Sequence, residues 1–475
     1  MSRSIYAGDL QTGLTDRRMT DLLPCSDHAT SFLSTPRCTG GNRVAKSLST
    51  PKLNLAEVVA IGIGGMIGGG IFAVLGLAIA QAGHAVPLTL GIGGAIALLT
   101  GLSYAHLGLA FRGDGGSFTY IEHAFERPSL AAIAGWLLVA GYVGTLALYA
   151  TAFGAYGETL LEGNGTPGAI SAGLSTLVLV GFLVVNLGGA KTSGATELAV
   201  VAVKLAILAA FAAAGLYTVK ASHFEPVFDH GLLAPITAAA LIFVAYEGFE
   251  LIPNAIDEMQ NPQRNLRRAL VVAIVLTTAI YVTVALAALG NLTGAQMEHD
   301  QEYVLAVAAR PTMGQFGFVL IGIAALLSTA SAINATLFGS ARLAMVMASE
   351  HALPKVFSLR ERIRPVPWVA LLVLTAASLV FALAAPLAVI STFASATFLL
   401  IFFAINLSAW RLRRRIGLAG LWPLAGAIAT GASFLLLMEN TFYVAPHSLW
   451  WIVGFYGAAI AVEAVLVLRR GWRRR

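Results

Sequence analysis

The segment GIGGMIGGGIF, residues 62–72, lies in the first long apolar stretch of this chain, and six glycines fall between positions 61 and 70. Glycine costs about 1 kcal/mol relative to alanine in a helix interior, so this composition predicts a broken helix. In lipid, freed backbone groups are tolerated only where they face protein, a ligand or a cavity. The break is therefore expected at a transport site.

The same glycines also fit a simpler interpretation. Gly64 with Gly68, and Gly65 with Gly69, follow the four-residue spacing that lets two membrane helices approach closely. Close packing alone does not call for three consecutive glycines, so the broken helix is the favoured prediction.

The rest of the chain has the composition of a membrane protein. Hydrophobic residues make up 57% and charged residues 11% of the 475 residues, against roughly 45–50% and about 25% in soluble domains. Long apolar runs follow one another with short polar joints, which is typical of transmembrane helices. We predict an all-α integral membrane protein with about twelve spans, centred near residues 67, 98, 145, 178, 207, 244, 278, 331, 375, 397, 428 and 457.

Residues 1–52 differ from the rest, because they are rich in Ser, Thr, Asp and Arg and lack apolar periodicity. We predict a disordered cytoplasmic tail rather than a signal peptide. The two cysteines of the chain, Cys25 and Cys38, lie in it with His28, at a spacing that does not suit a metal site. No disulfide, metal or cofactor is expected in the folded body.

Basic residues are distributed asymmetrically. If the amino terminus is cytoplasmic, most of the 30 lysines and arginines fall in the tail, in alternate loops and at the carboxyl end. This distribution obeys the positive-inside rule and predicts that both termini are cytoplasmic. It also accounts for the formal charge of +6 without a nucleic-acid partner.

A second interruption is predicted in the sixth span, at FVAYEGFEL, residues 243–251. Glu247 and Gly248 sit near the middle of an apolar stretch, where a carboxylate is costly unless it faces a polar cavity. The alternative is a protonated structural carboxyl that hydrogen-bonds a neighbouring helix. Interruptions five spans apart fit two halves of opposite topology, which predicts the inverted repeat of many secondary transporters.

Four motifs together resemble the amino acid, polyamine and organocation superfamily. They are GGMIGGGIF in the first span, GGSFTYIEHAF at 115–125, FVAYEGFELIPNAIDEMQNPQR at 243–264 and STASAINATLFGSARL at 328–343. The resemblance implies a ten-helix core of five plus five helices at residues 53–410, followed by two further helices at 411–475. It also implies an amino acid carrier.

The expected substrate site lies between the two interruptions. Backbone amides around Ile67, Gly68, Gly69 and Gly70 would form a helix amino terminus that favours a carboxylate. Carbonyls freed between Phe243 and Tyr246 would favour an ammonium group. Motif positions matched to the superfamily imply the same backbone groups, with Phe243 or Tyr246 as an aromatic lid and Glu247 as a further binding or proton-carrying group.

Lys204 lies near the middle of the fifth span, too deep to reach either membrane surface easily. A buried lysine is expected to load and lose a proton within the working pH range. In proton-coupled proteins that this chain resembles, a lysine at this place takes the position of a sodium ion. It would then reach Gly64 or Gly65 in the first span and Ser328 or Ser331 in the eighth. A static strut between these helices is the alternative.

Three polar residues, Glu250, Asn254 and Asp257, recur at helical spacing after the second interruption, so we expect them on one face. They would form a cytoplasmic gate, pairing with arginines such as Arg264 and Arg342, or would simply be solvated. Two positions depart from the superfamily pattern. His106 replaces a common acidic residue and Arg112 a frequent proline.

No enzyme motif survives inspection, because the nine histidines are scattered and no phosphate-binding loop is present. We predict a secondary transporter in the plasma (cell inner) membrane that moves amino acids by alternating access, in symport with protons. Its partners would be the small-molecule substrate, protons and the lipid bilayer, with no nucleic acid. An exchanger of amino acids or amines is the first alternative, and a transport-inactive nutrient sensor is the second.

Overall fold

The computed structural model describes residues 52–112, 115–162, 168–189, 194–219, 224–292, 296, 301–350, 352–360 and 366–472. The predicted tail, with Cys25, Cys38 and His28, lies outside these ranges. The expectation that it is a disordered cytoplasmic segment stays a prediction, as does the boundary placed between residues 410 and 411.

The described residues are helical throughout the apolar stretches. The helices are α1 (Leu55–Ala82), α2 (Val86–Ala110), α3 (Gly116–Phe125), α4 (Pro128–Glu162), α5 (Ala169–Leu187), α6 (Gly194–Thr218), α7 (Ala234–Leu241), α8 (Leu251–Asn254), α9 (Pro262–Leu289), α10 (Val304–Ser349), α11 (Trp368–Ala384), α12 (Leu387–Arg411), α13 (Arg413–Ile416), α14 (Leu421–Val444) and α15 (Pro446–Trp472). Within the same residues, extended pairing is limited to an isolated bridge between Leu53 and Met259. The predicted all-α class is confirmed.

Eleven of the twelve predicted span centres fall in one of these helices, and the remaining one, near residue 244, falls in the segment between α7 and α8. In the described residues, eight helical segments are long and apolar enough to cross a membrane, and the bent sixth span makes nine. A further apolar helix, Trp368–Ala384, is shorter. A chain with this many apolar helices is an integral membrane protein. The count of twelve spans and the inverted repeat stay predictions.

The predicted break in the first span is wrong. Helix α1 runs without interruption from Leu55 to Ala82, so the amides of Gly68, Gly69 and Gly70 lie inside a continuous helix and form no helix amino terminus. A continuous helix satisfies its own backbone hydrogen bonds, which in lipid outweighs the modest intrinsic cost of glycine. The anion site expected at these amides is therefore absent from this arrangement.

The glycines of α1 instead allow close packing on several sides. A Cβ atom at Gly65 would lie 2.9 Å from the Cα atom of Gly248, and one at Gly70 would lie 2.9 Å from the Cα atom of Ala245. Gly69 lies against the ring of Tyr149 and Gly68 against Ala332. Elements from three parts of the chain, namely the sixth span, α4 and α10, thus crowd this helix. Close approach, the simpler interpretation of the sequence, describes α1 correctly.

The predicted break in the sixth span is confirmed. Helix α7 ends at Leu241, a tight turn covers Phe243–Tyr246, and Glu247 is extended with φ −61° and ψ 145°. Gly248 follows with φ 116°, a conformation that favours glycine. The two parts of the span meet at an angle of 60°.

Among the membrane-length segments of the described residues, Leu55–Ala110 (α1 and α2), α4 and α12 have the largest share of buried residues, and α5, α6 and α14 have the smallest. The start of α1 is tied to the end of the sixth span. The backbone N–H of Leu53 donates to the carbonyl of Glu258 at 2.7 Å, and that of Gln260 donates to the carbonyl of Leu53 at 2.9 Å. The broken span is thereby held along the central helix.

Candidate substrate site

The break in the sixth span lies directly against α1. A Cβ atom at Gly248 would lie 2.6 Å from the carbonyl carbon of Gly65 and 2.8 Å from the backbone nitrogen of Met66. No side chain fits between the two backbones here, which explains why both positions are glycine. The interrupted segment and the glycine face of α1 therefore form one buried junction.

Hydroxyl groups of α12 bind the backbone that the break exposes. The carbonyl of Leu241 accepts hydrogen bonds from Ser391 Oγ at 2.9 Å and from Ser395 Oγ at 2.7 Å. The N–H of Val244 donates to Ser395 Oγ at 3.0 Å. These bonds replace the helical ones that α7 loses, as buried backbone groups require. Sequence reasoning missed Ser391 and Ser395, although their i, i+4 spacing places both hydroxyl groups on one face of α12.

Tyr281 of α9 joins the two elements. Its hydroxyl group lies 2.5 Å from the carbonyl of Met66 in α1 and 3.0 Å from the carbonyl of Ala245 in the break. On the other side of α1, the hydroxyl of Ser328 donates to the carbonyl of Ile67. Sequence reasoning missed Tyr281, because an isolated tyrosine in an apolar span carries no local signal.

Two carboxyl groups are buried at the break. Glu247 is 2% exposed and Glu250 is 3% exposed. Tyr149 Oη lies 3.5 Å from Glu247 Oε2, at the limit of a hydrogen bond, and Glu250 Oε2 accepts the N–H of Gly248 at 2.7 Å. Among the described residues, Glu250 Oε1 has no hydrogen-bond partner. Buried carboxyl groups are costly in a membrane protein, so Glu247 and Glu250 stay candidates for a functional role.

The two side chains predicted to form an aromatic lid lie inside the bundle, and their role as a lid stays a prediction. Phe243 and Tyr246 are both fully buried. The Tyr246 hydroxyl donates to the carbonyl of Leu90 in α2 at 2.6 Å, and the Phe243 ring packs 5.8 Å from that of Phe402. Both side chains therefore pack against neighbouring helices.

An aromatic layer closes the site on the side of α3. The Tyr104 ring lies 6.0 Å from Tyr120, 5.7 Å from Phe249 and 5.8 Å from Phe402, in edge-to-face contacts. Its hydroxyl lies 2.5 Å from Ser117 Oγ in α3. These contacts join α2, α3, α12 and the segment that follows the break.

The predicted polar face after the break is wrong. Helix α8 ends at Asn254 and a tight turn follows at Ile256–Glu258, so the helical spacing does not continue. Glu250 is buried, whereas Asn254 and Asp257 are exposed. Among the described residues, neither Glu250 nor Asp257 forms a salt bridge with Arg264. Asn254 instead lies beside Gly116 at the start of α3, 2.8 Å from where a Cβ atom would be.

Lys204 is 1% exposed. Its helix, α6, packs against α1, α9 and α10, so the expected neighbourhood of the first, fifth and eighth spans is present. Ser328 is fully buried in α10 and Ser331 is half-buried. The depth of Lys204 matches the sequence prediction, while its role in proton coupling stays a prediction.

The two departures from the superfamily pattern have ordinary structural settings. His106 is half-buried, with Nδ1 3.0 Å from the carbonyl of Leu102 in its own helix. Arg112 is exposed just beyond α2. Across the residues that the structure describes, no cluster of histidine, cysteine or acidic side chains could hold a metal ion.

Comparison with known proteins supports a transport role. The sequence profile described as "Amino acid permease" matches residues 53–464. An uncharacterized protein of Methanocaldococcus jannaschii is 32% identical over 432 residues, covering 90% of this chain and 96% of its own length. The "Inner membrane transport protein YbaT" of Escherichia coli is 30% identical over 87% of this chain and 96% of its own length.

A third relative, the "Branched-chain amino acid permease BcaP" of Bacillus subtilis, is 25% identical over 67% of this chain and 71% of its own length. The profile match spans the broken sixth span, the glycine face of α1 and the buried lysine of α6. This chain belongs to the amino acid permease family.

Proposed function

We propose that this protein is a secondary carrier that moves amino acids by alternating access, in symport with protons. The observation that carries the proposal is the junction between the broken sixth span and the glycine face of α1, which is closed and buried at the centre of the bundle. In lipid, an interrupted helix is retained where it serves a site, because it sacrifices backbone bonds that other groups must replace.

The proposed substrate site comprises the glycine face of α1 and the break. Ile67, Gly68, Gly69 and Gly70 would line one side, and the segment from Phe243 to Glu247 the other. The Glu247 carboxyl and the backbone carbonyls near it would attract the ammonium group of an amino acid. Opening the site requires Phe243 and Tyr246 to leave their contacts with α12 and α2.

The proposed coupling group is Lys204. Its amine is buried on α6, the helix that packs against both α1 and α10, so a change of its charge would be felt by both. Removing the amine should uncouple transport from the proton gradient and spare substrate exchange. A role as a static strut would instead predict loss of folding.

The test is uptake of a radiolabelled amino acid panel into proteoliposomes, with and without an imposed inward proton gradient. We expect accumulation that appears with the gradient and collapses with a protonophore. Lys204→Ala should abolish accumulation and leave counterflow, while Lys355→Ala, which removes an exposed lysine, should behave like the wild type. Accumulation that persists in Lys204→Ala contradicts the proton-carrier role.

An exchanger is the second candidate. Glu247 and Glu250 are buried together, and the described residues place no basic side chain in a salt bridge with either. A cationic substrate would supply the missing positive charge. The cationic amino acid transporters 8 and 9 of Arabidopsis thaliana are also relatives of this chain. Counterflow that needs internal substrate, ignores pH and fails in Glu247→Gln favours this candidate.

We further propose the cell inner membrane as the location, with both termini cytoplasmic. The distribution of basic residues supports this orientation.

A further inference from the structure

Asp229, in the loop that leads into α7, is surrounded by two histidines. Its carboxylate accepts the backbone N–H of His84 at 3.2 Å and that of His230 at 3.1 Å. The imidazole Nδ1 atoms lie equally near, 3.2 Å away for His84 and 3.1 Å for His230. We call these three residues the Asp229 cluster.

The cluster joins two segments that are far apart in sequence. His84 belongs to the corner between α1 and α2, 145 positions before Asp229. The corner is shaped to receive the carboxylate, because Gly83 has φ 53° and a Cβ atom there would overlap Asp229 and His230. His84 Nδ1 also lies 3.2 Å from the carbonyl of Pro226 in the same loop.

Protons from solution can reach this cluster. The side chains of Asp229 and His84 are each 22% exposed and that of His230 is 48% exposed. Partial burial opposes ionisation of Asp229. Hydrogen bonds from His230 and the His84 backbone, together with the charges of the two imidazoles, outweigh it and lower the pKa of Asp229. Within the described residues these two imidazoles are the titratable groups that face the carboxylate from either segment; Glu225 of the loop is exposed and makes no ion pair with it.

We propose that the Asp229 cluster is a proton-sensitive clamp that holds the end of α1 and the entrance of the sixth span together. These two elements also meet at Gly65 with Gly248 and at Leu53 with Met259. Of these three contacts between α1 and the sixth span, the Asp229 cluster is the one formed by titratable side chains. It lies at the end of α1 opposite the bridge at Leu53, on the side predicted to face outward.

The direction of the pH response follows from the charges. When an imidazole of the cluster takes up a proton it becomes cationic and attracts the carboxylate, which lies 3.1–3.2 Å away. A neutral imidazole leaves only hydrogen bonds to hold the carboxylate. Because the pKa of Asp229 is lowered, the carboxylate stays charged until pH falls below its usual range of about 3.9. The clamp is therefore tightest in moderate acid, and external acid would favour joint movement of α1 and the sixth span.

The experiment measures the distance across the clamp directly. Cysteines at Leu88, exposed near the start of α2, and Leu232, exposed in the loop before α7, are spin-labelled in a chain carrying Cys25→Ser and Cys38→Ser. Distance distributions are recorded in lipid at about pH 5 and about pH 8. We expect the short-distance population to rise roughly two- to fivefold in acid, the size expected for partly exposed ion pairs.

The double variant His84→Gln/His230→Gln should lose this pH response, and Asp229→Asn should loosen the clamp at both pH values. His447→Gln removes an exposed histidine at the start of α15 and is the matched control. An unchanged response in the double variant, or an equal loss in His447→Gln, overturns the proposal. His230→Gln alone, which keeps the corner at His84 intact, should give an intermediate response if the double variant folds poorly.

The effect of the clamp on transport rests on the proposed carrier function, but the distance measurement does not. A pH-dependent distance in a protein without counterflow would keep the clamp and reject the carrier. Counterflow in a protein whose spin-label distance does not change with pH would keep the carrier and reject the clamp.

Discussion

Gly65→Ala tests whether the glycine face of α1 exists for close packing against the break. The added Cβ atom would lie 2.9 Å from the Cα atom of Gly248, 3.2 Å from its carbonyl oxygen and 3.3 Å from its carbonyl carbon. All three are backbone atoms, so no change of rotamer relieves the contact. Ordinary van der Waals contact begins near 3.4 Å, and the break must therefore move outward by about 0.5 Å.

Two effects of opposite sign decide the result. Alanine stabilises a helix interior by about 1 kcal/mol relative to glycine. Overpacking costs about 1–3 kcal/mol, and the upper end applies when backbone has to move. The net loss is about 2 kcal/mol, or roughly a 30-fold shift away from the packed junction.

The assay compares thermal stability in detergent and initial uptake in proteoliposomes. Gly173→Ala is the matched control, because it is a helical glycine of α5 with nothing within 4 Å of its Cβ position. We expect Gly65→Ala to lower both readouts and Gly173→Ala to preserve or slightly raise stability. If the two variants behave alike, close approach does not explain the glycine at position 65.

Three further predictions address other contacts of the site and its surroundings. Tyr281→Phe removes the hydroxyl group that lies near the carbonyls of Met66 and Ala245. Uptake should slow about two- to tenfold without unfolding of the protein, since a lost hydrogen bond costs about 0.5–1.5 kcal/mol. The control Tyr217→Phe changes a side chain that is 91% exposed and should have no effect on uptake. Gly248→Ala places a Cβ atom on a residue whose backbone φ is 116°, a conformation that is strained for alanine. Thermal unfolding should show a loss of stability of at least about 1–2 kcal/mol. Wild-type stability of the variant would refute this strain. Burial and the nearby Glu122 carboxylate raise the pKa of Glu350, so its ionisation as pH rises should reduce stability; Glu350→Gln should then raise the melting temperature more at about pH 8 than at about pH 5.

The strongest local signals in the sequence led to correct predictions. Hydropathy placed helices at eleven of the twelve predicted centres because burial in lipid depends on runs of apolar residues. Glu247 with Gly248 predicted the break in the sixth span, since an acidic residue and a flexible one both disfavour a regular helix there. Lys204 was predicted to be buried from its flanking residues alone, and it is 1% exposed.

Other features could not be found this way. Three consecutive glycines are compatible with a broken helix or with close packing, and only the neighbours of α1 distinguish the two. Glu250, Asn254 and Asp257 have helical spacing, but the helix that would align them stops at Asn254. Helical spacing in a sequence shows which residues share a face if the helix continues. It does not show where tertiary contacts end the helix.

The sequence by itself determined that this chain is a bundle of membrane helices with an interrupted sixth span and a buried lysine, because these properties depend on residues close together along the chain. The tertiary structure alone decided that α1 stays continuous. It also decided that Tyr281 and Ser395 bind the exposed backbone of the break, and that His84 meets Asp229 across 145 positions. Those contacts depend on which helices become neighbours, which no local pattern of side chains specifies.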